Sequence, residues 1–263
     1  MNASILLKSI LAKMLTLSGA VERKIKKKYV GKFLILMYHR VVRYNKVGSG
    51  LQAGMYVDPE TFSMHIHYLK KYFNVIPLYE MYASFSNKIE KRSNIPICVL
   101  TFDDGWHDFY EFAYPIISKQ KLPATVFLPT KYINTGDRFW TDQVANLYVQ
   151  KENINKILYN YQYSNNDAVK VLNGLEGRIE SKIERAISFL KNYSDDEISN
   201  ILVELKTTWG MDSISKERTF LNWGEVREMA KSGLIKFGSH TDNHKMLTHL
   251  NKGDIIEELN QSK

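Results

Sequence analysis

The run from Ile97 to Phe102 is apolar except for Thr101 and leads directly into Asp103-Asp104-Gly105-Trp106. A continuous apolar run of this length is typical of a strand buried on both faces, as in parallel sheets. Two adjacent carboxylates would repel each other in an apolar core, so we expect the strand to end before Asp103, with Gly105 permitting a sharp turn. Ligands bind at this carboxyl edge of parallel α/β sheets. Because one Asp is enough to cap a following helix, the doublet favours a chemical role.

A second stretch has the same layout. Residues 235–239 predict a short strand, and His240 and His244 follow it. A spacing of four places both imidazoles on one face of a helical turn, a common way to hold a metal ion. A single His at a strand end would more often be structural, whereas the pair is better interpreted as ligands.

Together, Thr101–Gly105 and Ser239–His244 resemble the polysaccharide deacetylase family, the NodB-homology domains of carbohydrate esterase family 4. The resemblance extends to Leu36–Val41, Leu122–Phe127 and Trp223–Met229, and so covers residues 33–130 and 220–263. It implies an α/β fold, namely an incomplete, distorted (β/α) TIM-like barrel of the deacetylase type with an all-helical insertion.

The resemblance also implies the chemistry. Asp104, His240 and His244 would hold one divalent metal, expected to be Zn²⁺, and Asp103 would be the general base. The reaction would be attack of a metal-bound water on the N-acetyl group of an N-acetylglucosamine-containing glycan. Two imidazoles and a carboxylate also fit a non-haem iron site, so the ligand types alone leave the metal open.

Three further residues are candidates for substrate binding: His39, Trp106 and Trp140. His39 stands at the carboxyl end of a predicted strand, Phe33–Tyr38, and therefore on the functional edge. For His39 the sequence favours a hydrogen-bonded structural histidine over a substrate contact, and for Trp140 it favours core packing.

The chain divides into four segments: a basic amphipathic arm at 1–32, the first part of the barrel at 33–130, a helical insertion at 131–219, and a barrel segment carrying the histidines at 220–263. In the insertion, apolar residues recur at helical spacing, as in Ile179, Ile183 and Ile187, which indicates the core of a helical subdomain. An insertion at a barrel rim can instead form a lid or a substrate wall.

Local signals predict several element boundaries. Asp58 and Pro59 begin a helix, Val75–Leu78 predicts a short strand and Ala124–Leu128 another. Ser194 with Glu197, and Asn222 with Glu225, have the spacing of capping boxes at two later helix starts.

Most of the net charge of +8 lies in residues 1–32, which contain eight Lys or Arg side chains and one acidic residue, Glu22. Because the remainder is nearly neutral, no nucleic-acid partner is expected. Apolar residues from Leu6 to Leu17 fall on one side of a helical wheel, and no apolar run is long enough for a membrane span or a signal peptide. The arm fits either an anionic membrane surface or a helix packed on the domain with a solvated basic tail. The expected location is therefore cytoplasmic, or peripheral at the inner face of a membrane.

The chain departs from the family pattern after His244. The family continues with an Arg/Pro/Gly-containing loop that orients the base and a Leu-x-His segment whose His is the general acid, and neither is found before Lys263. We therefore expect a truncated sequence with about five barrel strands and exposed strand edges. The alternative to an active deacetylase is a catalytically inactive fragment that binds metal, glycan or membrane without hydrolysis.

Overall fold

The computed structural model describes residues 18–43, 54–87, 94–154, 164–211 and 218–263. The chain folds into an α/β structure around a five-stranded parallel sheet, with a second, two-stranded parallel sheet beside it. The strands are β1 (Phe33–Tyr38), β2 (Arg40–Val41), β3 (Tyr56–Val57), β4 (Asn74–Val75), β5 (Ile97–Phe102), β6 (Ala124–Leu128) and β7 (Ile235–Ser239). The first 17 residues, which include the predicted amphipathic helix, lie outside the described residues.

The described helices connect and flank these strands. They are α1 (Ala20–Tyr29), α2 (Pro59–Tyr72), α3 (Leu78–Asn87), α4 (Tyr114–Gln120), α5 (Trp140–Ile154), α6 (Asp167–Asn173), α7 (Ile179–Leu190), α8 (Asp195–Thr208), α9 (Trp223–Lys231) and α10 (Lys252–Gln261). A π-helical turn, Phe109–Ala113, precedes α4. The predicted helix starts at Asp58, Ser194 and Asn222 are confirmed, the last two as complete capping boxes.

Strand β5 is the centre of the sheet. It pairs in parallel with β1 along its whole length, with β4 at its amino end and with β6 at its carboxyl end. Strand β7 then pairs with β6. Every residue of β5 is buried, as the apolar run predicted. The sheet therefore brings the carboxyl ends of β1, β5, β6 and β7 to one edge.

Two hydrophobic cores stabilise the molecule. One lies between the parallel sheet and its helices and includes Phe62, Leu100 and Val126. The other is formed by α5 to α8 and includes Leu147, Ile183 and Leu202. Within the described part of residues 131–219 the regular elements are helical. The division into four segments stays a prediction, although the two cores agree with a separate helical subdomain.

The strand predicted at Val75–Leu78 is shorter and earlier than expected. Strand β4 covers Asn74–Val75, and the Ile76 amide still donates to the Cys98 carbonyl on β5 at 3.0 Å. Pro77 follows and has no N–H to continue the ladder, so the chain leaves the sheet and α3 begins at Leu78.

Strand β1 is an edge strand of the described sheet and carries two exposed apolar side chains, Ile35 and Met37, which are 49% and 59% exposed. Unpaired edges with apolar side chains promote association between chains. We therefore expect the 263-residue chain to self-associate, and the Ile35→Lys/Met37→Lys variant to shift it towards the monomer. Size-exclusion chromatography with light scattering measures this.

A control variant adds the same charge away from the strand edge, at Met64 and Tyr82, which are 64% and 75% exposed on helices. A monomeric wild type, or equal dissociation by the Met64→Lys/Tyr82→Lys control, would show that the β1 edge does not cause association.

Candidate metal centre

The turn after β5 is built on backbone conformations that few side chains accept. Asp104 and Gly105 both have positive φ, +75° and +62°. A Cβ at position 105 would lie 2.7 Å from Leu128 Cδ2 and 3.1 Å from Ile133 Cδ1. Glycine is thus required there both by conformation and by space. The turn buries Asp104, of which only 3% is exposed, and leaves Asp103 partly exposed.

The two carboxylate oxygens of Asp104 have different surroundings. Oδ2 accepts a hydrogen bond from the Trp106 indole N–H at 3.0 Å. Oδ1 lies 3.3 Å from Nε2 of His240 and 3.3 Å from Nε2 of His244, yet it is buried without a hydrogen bond of good geometry. One ligand atom from each of these three residues falls within 4.8 Å of the others, so the group could hold a metal ion. The sequence prediction that these side chains meet agrees with this geometry.

The loop that carries the histidines is not helical, so the expectation of a helical turn was wrong. After β7 ends at Ser239, Thr241 and His244 both adopt positive φ, +63° and +55°. The two imidazoles still converge, with ring centroids 5.0 Å apart. His244 also stacks on Phe139 at 4.1 Å, which fixes the plane of its ring.

Glu258 on α10 stabilises this loop by hydrogen bonds. Its side chain is buried, and its carboxylate accepts from the backbone amides of Asp242 and Asn243 at 3.1 and 2.8 Å. It also accepts from the Asn243 side-chain amide at 2.8 Å, and Lys245 lies 3.8 Å away. Such a carboxylate replaces the backbone partners that a helical turn would have supplied, which explains how an irregular loop can place both histidines.

The electrostatics separate the two aspartates. Burial would raise the pKa of Asp104, but His240 and His244 outweigh it and hold that pKa well below its ordinary value. Burial raises the pKa of Asp103, and the Asp104 charge adds to the effect, against the opposing influence of His240 and His39. For His240, burial lowers the pKa, but the Asp104 carboxylate more than compensates and the pKa is raised.

The three predicted substrate residues lie around this centre. His39, Trp106 and Trp140 line one cavity together with Asp104 and His244. Trp106 is only 4% exposed and stacks on Phe220, so its clearest contact is the hydrogen bond to Asp104. An adjoining cavity shares Trp140 and His244 with the first. Contact of these residues with a substrate stays a prediction.

Arg40 is a member of the site that sequence reasoning left without a role. Its guanidinium lies 4.4 Å above the Trp106 ring, and its Nε donates to buried Asp108 at 2.7 Å. Asp108 in turn accepts from the Val41 amide at 3.1 Å. Arg40 follows His39 in the Leu36–Val41 stretch, and Asp108 lies shortly after the Asp doublet. Sequence reasoning did not pair Arg40 with Asp108 because 68 residues separate them in the chain. Glu258 was missed for the same reason.

Comparison with known proteins assigns this chain to a family. The sequence model of the family described as "Polysaccharide deacetylase" matches residues 90–263, about two thirds of the chain. The chain belongs to the polysaccharide deacetylase family. Members of this family are hydrolases that act on amide bonds, so the enzyme class predicted from the sequence is confirmed at the level of the family.

The individual proteins that this chain resembles share less than 30% of their sequence with it. The Bacillus subtilis (strain 168) protein YxkH, described as a polysaccharide deacetylase, is 29% identical over 125 residues, which are 47% of this chain and 41% of that protein. The match thus spans less than half of that relative. The structure of the Streptococcus pyogenes deacetylase PplD in complex with acetate is 18% identical, with a TM-score of 0.48. The match covers 88% of this chain and 65% of the PplD chain. The structure of the Bacillus anthracis polysaccharide deacetylase BA0330 is 17% identical, with a TM-score of 0.48. The match covers 88% of this chain and 45% of the BA0330 chain.

Removal of the Glu258 carboxylate should disturb the histidine loop. Glu258→Ala leaves the partly buried amide donors of Asp242 and Asn243 without their carboxylate partner, which costs about 1–3 kcal/mol of unfolding free energy. Because the loop carries His240 and His244, we also expect the affinity for Zn²⁺ to fall about 10- to 100-fold. Urea unfolding of the metal-free protein and a competition assay with a zinc chelator measure the two effects.

Glu257→Ala is the matched control, since Glu257 is the exposed neighbour on the same helix. If both variants unfolded at the same urea concentration and bound Zn²⁺ equally, Glu258 would have no positioning role.

Proposed function

We propose that this polysaccharide deacetylase hydrolyses the N-acetyl groups of an N-acetylglucosamine-containing glycan with one divalent metal ion, Zn²⁺. The observation that carries the proposal is that one ligand atom each of Asp104, His240 and His244 lie close together, and that the Asp104 atom is a buried carboxylate oxygen without a hydrogen bond. A buried acceptor without a hydrogen bond is unfavourable, and a cation between it and two imidazoles would satisfy it.

The donor set fits a catalytic zinc ion. Zinc accepts imidazole nitrogens and carboxylate oxygens, and catalytic sites use three protein ligands and leave one position open. A cation held there would acidify a water molecule and stabilise the negative charge that develops on the acetyl carbonyl oxygen. The Trp106 N–H donates to the second oxygen of Asp104, Oδ2, so Oδ1 would be the oxygen available to hold an ion.

Asp103 is the proposed general base. Adjacent residues with oppositely shifted pKa values are suited to different tasks: Asp104, with its lowered pKa, stays ionised as a ligand, while Asp103, with its raised pKa, accepts a proton more readily. In this scheme the Asp103 carboxylate takes the proton of the water that attacks the acetyl carbonyl, and His39 and His240 lie near enough to influence its charge.

Substitution of the ligands and of the base should separate metal binding from catalysis. Asp104→Ala, His240→Ala and His244→Ala are expected to lose stoichiometric zinc and with it acetate release. Asp103→Asn should retain zinc and lose acetate release from N-acetylglucosamine oligomers by about 100- to 10,000-fold. Zinc is measured by elemental analysis of purified protein.

His67→Ala, an exposed histidine on α2, is the control and should keep both properties. Stoichiometric zinc in the His240→Ala/His244→Ala double variant would overturn the ligand assignment. A zinc-loaded wild type that releases no acetate would favour the non-catalytic alternative.

We also propose that residues 1–32 bind anionic membrane surfaces. Helix α1 buries Ile25 against the core and exposes a cluster of basic side chains: Arg23, Lys24, Lys26, Lys27 and Lys28. Each basic residue near an anionic membrane contributes about 1 kcal/mol to binding, so several suffice to localise a domain. None of the described helices combines the length and hydropathy needed to cross a bilayer.

Neutralising this cluster should weaken vesicle binding without disturbing Ile25. We expect Lys24→Gln/Lys27→Gln/Lys28→Gln to co-sediment less with phosphatidylserine vesicles than wild type, and the binding of both to decrease with salt. The variant Lys119→Gln/Lys231→Gln/Lys252→Gln has the same net charge and is the control. Equal binding of the two triple variants would show that α1 is not the membrane contact.

A further inference from the structure

The cavity beside the metal centre is formed by two parts of the chain. The side next to the parallel sheet contains Asp104 and His244, and the other wall comes from α5, α7 and the residue after α7. That wall consists of Trp140, Thr141, Asp142, Ala145, Ile187 and Lys191. The inserted helices therefore reach the reacting centre itself and do not only pack on one another.

The cavity is small. Its volume is about 220 Å³, below the roughly 300–1,000 Å³ of pockets for drug-sized ligands, so it suits one sugar ring better than a stretch of polymer. An apolar surface from Trp140, Ala145 and Ile187 and polar groups from Asp142 and Lys191 face the same space. Sugar rings present apolar C–H faces and a belt of hydroxyl groups, and this wall offers partners for both.

Asp142 is the acidic side chain of this wall and is half-buried where it lines the cavity. Among the described residues its carboxylate makes no hydrogen bond or ion pair. Burial raises the pKa of Asp142 to about 6, and nearby Asp104 adds to the effect, while Arg40, Arg138 and His244 oppose it. A half-buried carboxylate that lines a cavity without a protein donor is an available acceptor for a hydroxyl group of a bound molecule.

We propose that Asp142 is a substrate-binding residue whose carboxylate accepts a hydrogen bond from a hydroxyl of the sugar ring that carries the acetyl group. The proposal rests on the proposed deacetylase function and adds that the inserted helices determine which sugar the site accepts. Trp140, at the start of the same helix, covers the apolar face of that ring. Specificity is then set by residues that the barrel motifs do not include.

Kinetics on the zinc-loaded full chain tests the assignment. With an N-acetylglucosamine tetramer as substrate, Asp142→Ala should raise KM about 10- to 100-fold with little change in kcat, since a hydrogen bond to a charged group is lost. Asp142→Asn retains a carbonyl acceptor and should recover part of the loss. Asp167→Asn changes the same charge at a side chain 93% exposed on α6 and should behave as wild type.

A binding measurement gives a second readout that does not depend on turnover. In calorimetric titration of the tetramer, the Asp103→Asn/Asp142→Ala variant should bind at least tenfold more weakly than Asp103→Asn, with stoichiometric zinc in both. Equal affinities of the two variants, or a loss confined to kcat, would overturn the role of Asp142. Failure of the deacetylase function is recognised separately, by wild type that does not retain zinc or release acetate.

Discussion

The buried carboxylate of Asp104 is the group on which the arrangement of the site depends. Removing an ionised carboxylate from water costs several kcal/mol in proteins unless hydrogen bonds and opposite charges compensate. Trp106 supplies a hydrogen bond to one oxygen and two imidazoles approach the other, and the lowered pKa of Asp104 records the net result. The left-handed turn at Asp104 and Gly105, the irregular histidine loop and the Glu258 contacts all help to hold these partners around one carboxylate group.

Much of this fold is predictable because its strongest signals are local. The β5 run, its Asp doublet and the capping boxes at Ser194 and Asn222 are patterns within a few residues, and each has one favourable structural solution. The strand after α2 was misjudged because its end depends on Pro77, whose missing N–H terminates a ladder that the hydrophobic pattern would continue.

The rest of the site depends on contacts between distant residues. The four-residue spacing of His240 and His244 indicated a helical turn, but Glu258 satisfies the loop amides from 15 residues or more further along the chain. Arg40 and Asp108 are separated by 68 residues, and no local pattern marks them as partners. The residue types of the candidate ligands were therefore readable from sequence, whereas the groups that orient them required the fold.

The helical segment of α5 to α8 is connected to the site where the chain returns from it to the parallel sheet. The Leu221 amide donates to the Gly105 carbonyl at 2.8 Å, and the His107 amide donates to the Thr219 carbonyl at 2.8 Å. The turn that positions Asp104 is thus hydrogen-bonded to the segment between α8 and α9. Phe139, immediately before α5, stacks on His244.

These three contacts have a mechanical consequence. A displacement of helices α5 to α8 relative to the parallel sheet would change the turn, the His244 ring and the cavity wall at Asp142 together, since packed interiors transmit strain rather than absorb it. These helices and the candidate metal centre therefore act as one structural unit, although the helices and the sheet have separate hydrophobic cores.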